Sequence, residues 1–147
     1  MDKPRFVYVT YIATTAEKLW NALVDPKTTA KYWQHENLSD WKPGSRWEHR
    51  RCDEKRTLKL VGNVVESSPP RRLVLTWAFP ADEAHEEKHS RVTFEIEPIG
   101  DVVRLTVTHD RLDSGSEMLE RISKGWPKVL SSLKSLAEVG RALPELW

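Results

Sequence analysis

The sequence predicts an α+β fold in which an antiparallel sheet, buried on one face, is covered by a long C-terminal helix. Three observations predict it. Apolar residues recur at period two from Asn37 to Asp110, as expected when one sheet face is buried and the other is wet. From Met118 to Gly140 they recur instead at helical spacing. Two short helical stretches stand between the first strand and the rest.

Arg5–Ile12 (RFVYVTYI) is rich in β-branched and aromatic residues and reads as the first strand. Thr14 followed by Glu17 fits a capping box, so a helix is expected next, burying Leu19, Trp20 and Leu23. Asp25-Pro26 reads as an N-cap with proline in the first turn of a second helix, ending near Trp33. In the sheet region Trp47, His49 and Arg51 share one face of a strand, and Leu58, Leu60, Gly62 and Val64 line up in the next. Pro69-Pro70 marks a turn, since neither proline can donate to a ladder. Leu73, Leu75, Trp77 and Phe79 follow at period two, then Val92, Phe94 and Ile96, then Val103, Leu105 and Val107, ending near His109. Gly100-Asp101 is the expected hairpin turn between the last two. Ser114 with Glu117 forms a second capping box before the stripe Met118, Ile122, Trp126, Val129, Leu130 and Leu133. Gly125 and Pro127 interrupt that stripe, which predicts a kink or a fresh helix start at Trp126.

A chain of 147 residues fits one domain, and its 39% hydrophobic content supports a core. The 23 Lys and Arg nearly balance the 22 Asp and Glu, and the only short basic run is Arg50-Arg51. A phosphate backbone calls for a clustered basic face, so nucleic acid is not an expected partner. Cys52 is the sole cysteine, which excludes an intrachain disulfide and fits a reducing compartment. The first residues enter a strand pattern with no apolar leader, and no apolar run reaches the roughly 20 residues of a membrane span. A cytoplasmic protein is expected.

Three stretches carry a family likeness. They are Gly62–Glu66 with Pro69–Leu73 and Thr76-Trp77; Val92–Phe94 through Arg104–His109; and Gly125-Trp126 with Leu130 and Leu133. With the element order, they resemble the START-like superfamily, most closely the branch named for the activator of the ninety-kilodalton heat-shock protein's ATPase. That branch often shows a double glycine before the strand at Trp47, where only Gly44 stands here. The resemblance implies a helix-grip fold: a curved antiparallel sheet of six to seven strands around the C-terminal helix, with an apolar cavity between them. It implies function only broadly, because members include hydrophobic-ligand carriers, cyclases and co-chaperones.

Within that fold Trp47, Leu60, Leu75, Trp77, Phe94 and Leu105 oppose Met118, Ile122 and Trp126 on the helix. His49 and Arg51 would orient a ligand at one end, or pair with Glu117 or Glu120. The first expectation is therefore a small hydrophobic or amphipathic ligand bound by these eleven residues, with no cofactor and no catalytic group assigned. The alternatives are a protein-interaction module for a chaperone and, third, an enzyme using His49 or His109. Trp33 and Trp41 flank the expected mouth. His85-Glu86-Glu87-Lys88-His89 spells H-E-x-x-H, but it lies between two strands without room for the helix that aligns two zinc-binding imidazoles. A charged hairpin tip without stoichiometric zinc is expected. Arg50 and Arg51 would lower the Cys52 pKa, although Cys52 is out of phase with Trp47. His109-Asp110 stands as a candidate acid–base pair at a strand end.

Overall fold

Each alternating segment of the sequence becomes a strand in the computed structural model, which describes residues 3–144. Met1 and Asp2, at the head of the stretch read for a leader, lie outside the described residues. Strand β1 (Phe6–Ile12) leads into helices α1 (Ala16–Val24) and α2 (Pro26–Trp33). Then come β2 (His35–Leu38), β3 (Arg46–Arg51), β4 (Leu58–Ser68), β5 (Arg72–Trp77), β6 (Ser90–Ile99) and β7 (Val102–Asp110), and finally α3 (Glu117–Val139). All neighbours pair antiparallel in the order β1-β7-β6-β5-β4-β3-β2. This is the helix-grip arrangement of a curled sheet and a long C-terminal helix. Among the described residues no helix is long and apolar enough to cross a membrane.

Alternation places the core where expected. Val92, Phe94 and Ile96 of β6 and Val103, Leu105 and Val107 of β7 are all buried. Gly100-Asp101 joins these strands as a two-residue turn, with Gly100 at φ +59° and Ile99 opposite Val102. Tyr32 of α2, fully buried, donates its hydroxyl to Ala22 O and ties the two short helices together.

Both predicted caps are displaced. Thr15, not Thr14, caps α1: its backbone is extended, its hydroxyl accepts from the Lys18 amide at 3.2 Å, and the Thr14 amide turns back to Ile12 O. Ser116, not Ser114, caps α3 and accepts from the Leu119 amide at 3.1 Å. Spacing alone cannot choose between adjacent Ser and Thr residues; the extended conformation of one of them does. Nor does α3 restart at Trp126. It runs unbroken through Gly125 and Pro127, held by the burial of Ile122, Trp126, Val129, Leu130 and Leu133 on either side of the proline.

Gly62 is demanded by packing. A Cβ there would lie 1.9 Å from Thr76 O and 2.5 Å from Trp47 Nε1. Trp47 faces Gly62 across β3 and β4, and its indole crosses that gap to donate to Thr76 O at 2.8 Å. The glycine is the passage through which one tryptophan links β3 to β5.

Candidate functional site

Three tryptophans from three elements converge where the first half of α3 approaches the sheet. Trp33 ends α2, Trp77 ends β5 and Trp126 sits on α3, with ring centroids 5.4–6.2 Å apart pairwise. Beside them a cavity of about 280 Å³ opens between α3 and strands β2 to β5. Leu60, Phe79, Met118, Ile122 and Val129 complete its apolar wall. Gly125 faces it too, and a Cβ added there would meet nothing within 4 Å.

The polar wall is a stacked histidine pair. His35 and His49 lie nearly parallel (7°), 4.3 Å apart. His35 Nδ1 is 2.8 Å from Trp33 O, and His49 Nδ1 is 2.5 Å from Asn37 Oδ1. Both acceptors lack protons, so each Nδ1 carries the hydrogen and donates it. The Asn37 amide donates in turn to Thr29 Oγ1, anchoring β2 to α2. Burial, followed by the charges of His35 and Lys59, holds His49 well below the ordinary imidazole pKa. His49 is therefore neutral at pH 7.

Arg51, Lys59 and Arg121 also line the cavity, and no carboxylate does. Arg121 lies over the Phe79 ring at 5.6 Å and pairs with Glu117 at 2.9 Å. Arg51 approaches Asp53 at 3.8 Å. Glu120 pairs with Lys124, so neither glutamate considered from the sequence serves His49, whose partner is Asn37.

Of the eleven residues read from the sequence, His49, Arg51, Leu60, Trp77, Met118, Ile122 and Trp126 line this cavity. Trp47, Leu75, Phe94 and Leu105 are buried in the core and do not line it, although Trp47 packs on Trp77 and Phe94 on Trp126. Trp33 lies inside the cavity rather than at a mouth, and Trp41 is half-buried outside the lining. His35, Lys59, Phe79 and Arg121 escaped the sequence reading. The signal for Arg121 was present: it follows Met118 by three positions on the same helix.

His109 does not form a dyad with Asp110, because period two sends the two side chains to opposite faces. Fully buried, His109 accepts from Trp126 Nε1 at 3.1 Å and donates from Nε2 to Ser90 Oγ at 2.8 Å. Ser90 Oγ donates its own hydrogen bond to Trp77 O at 2.8 Å. Burial pushes the His109 pKa down to about 3, so this hydrogen-bond chain is uncharged at neutral pH. Cys52 also departs from expectation. Desolvation and then Glu36 push its thiol pKa up, outweighing Arg56 and Arg51. His85 is exposed, whereas His89 points into its own loop, near Thr76 Oγ1 and the carbonyls of Asp82 and Glu83. Among the described residues, no three His, Cys, Asp or Glu side chains cluster as metal ligands.

A family profile described as "Activator of Hsp90 ATPase homolog 1-like protein" matches residues 13–138. The chain belongs to this family. No curated protein matches it. Among solved structures, the Aha1 dimer of Colwellia psychrerythraea superposes with a TM-score of 0.77 at 18% identity, covering 95% of this chain and 99% of that one. An HSP90 activator from Plasmodium falciparum gives 0.73 at 23% identity, covering 90% and 94%. CalU16 of Micromonospora echinospora gives 0.71 at 20%, covering 92% and 77%. At these identities the likeness establishes the shared helix-grip fold.

Proposed function

We propose that this member of the family acts as one domain that binds a small amphipathic molecule in the cavity between sheet and α3. The observation that carries the reading is the cavity itself, walled by indole rings and aliphatic side chains with a few fixed polar groups. Two details support it. Glycine inside a helix costs about 1 kcal/mol relative to alanine, yet Gly125 borders open space where alanine would fit. The Trp77 indole N–H is buried without a hydrogen-bond partner, a cost that a ligand acceptor would offset. The test is titration with the neutral probe N-phenyl-1-naphthylamine, followed by quenching of tryptophan fluorescence. The unmodified chain should bind it, and Ile122→Trp and Gly125→Leu should lose binding while keeping a native circular dichroism spectrum. Absence of binding by the unmodified chain at the probe's solubility limit would refute the reading.

A second reading, a co-chaperone-like module, is favoured by the family's description and by one surface feature. Val7, Val9 and Tyr11 form an apolar row along the outer face of edge strand β1, each about half exposed (47–49%). Under this reading the chain stimulates ATP turnover by the heat-shock protein, and Val9→Glu removes the stimulation without affecting probe binding. An unchanged turnover rate at saturating chain rejects it.

A further inference from the structure

We infer that the cavity selects a compact aromatic monoanion, such as a one- or two-ring carboxylic acid. This rests on the ligand-binding reading above and narrows it in size, shape and charge.

The size limit comes from volume. About 280 Å³ is room for roughly nine waters at their liquid volume, too little for a long acyl chain or a polycyclic sterol. Shape follows from the walls. Trp33 and Trp77 are stacked within 22°, and Trp126 is tilted against both, so the enclosure offers ring faces and ring edges. A flat aromatic body meets such walls in offset-stacked or edge-to-face contact.

Charge gives the sharpest restriction. Three cations line the cavity and no carboxylate does. Lys59 has no ion-pair partner among the described residues, and it is exposed at the rim. The Glu117 carboxylate on Arg121 forms a solvent-exposed pair that contributes little, so a ligand acid can displace or share it. His49 has its Nδ1 hydrogen committed to Asn37 Oδ1. With its pKa held low by burial, the His49 ring adds no negative charge to this wall.

Local backbone geometry places Lys59 on this wall. In the β3–β4 ladder His49 pairs with Leu60 and Arg50 with Leu58, so Lys59 is the extra residue of a bulge. A bulge re-aims a side chain that regular pleating would send to the opposite face. Lys59 and Leu60 are consecutive, yet both line the cavity.

The test compares 2-naphthoate with its neutral isostere 2-naphthamide, each titrated against the whole chain by tryptophan fluorescence at low and high salt. 2-Naphthoate should bind at least tenfold tighter, the scale of one charge-assisted hydrogen bond, and should weaken with salt. Lys59→Gln alone should cost most of that margin, and Lys59→Gln with Arg121→Gln should erase it. Neither variant should change binding of 2-naphthamide. Equal binding of the two probes, or equal weakening of both by Lys59→Gln, overturns anion selection while the cavity reading stands. Failure of both probes, together with N-phenyl-1-naphthylamine, overturns both.

Discussion

The two halves of α3 cross the same sheet and meet it differently. Before Pro127 the inward face presents Met118, Ile122, Gly125 and Trp126, and a cavity remains beside them. Beyond Val129, the last residue of the helix on the cavity wall, Leu130 and Leu133 are at most 2% exposed and the interior closes. Branched aliphatic side chains interdigitate, whereas rigid indole rings from three elements and a missing Cβ leave space between them. The difference divides one helix into a stretch that closes the interior and a stretch that borders the cavity to which the proposed function is assigned.

The largest expected effect tests whether that division is energetic. Leu133→Ala should destabilise by about 2–5 kcal/mol in urea unfolding, because it opens a void in a filled region. Met118→Ala, beside existing space, should cost under about 1 kcal/mol; similar costs for both would break the comparison. Trp126 stands at the junction. Trp126→Ala should cost about 3–5 kcal/mol, since its ring is buried and its N–H satisfies His109.

Two glycines sharpen the same contrast. Gly62→Ala should destabilise by about 1–3 kcal/mol or more, through the clash with Thr76 O and the displaced Trp47 indole. Gly125→Ala should stabilise by up to about 1 kcal/mol, because helix propensity improves and nothing is struck. A destabilising Gly125→Ala would mean that the space is filled.

The buried histidines predict the pH response. Both His49 and His109 have folded pKa values below the unfolded value of about 6.5. Below that pH the unfolded chain takes up protons that the native chain refuses. Stability is thus fully present above pH 6.5 and falls toward pH 3, by at most about 1.4 kcal/mol per pH unit for each histidine. His109→Gln should flatten the slope of unfolding free energy against pH in this window. An unchanged slope would show that His109 is protonated in the native state.

Much of the fold was legible because alternation and helical spacing are local consequences of which face is buried. Period two located β5, β6 and β7 and the inward residues Trp77, Phe94 and Leu105, and helical spacing found the stripe on α3. The first half of the site was readable for the same reason, since His49 shares a face with Trp47 and Ile122 shares one with Trp126. The remainder was decided by tertiary structure. Gln34, at φ +58°, turns α2 straight into β2 with no linker, and this brings His35 against His49. The bulge breaks the period that would have excluded Lys59 from the wall. Trp47, in phase with His49, leaves the cavity because its N–H finds Thr76 O across Gly62. Sequence determined which side chains face inward, because burial imposes its period residue by residue. Only tertiary structure decided which of them touch the cavity, because that depends on turns, bulges and hydrogen bonds between residues distant in the chain.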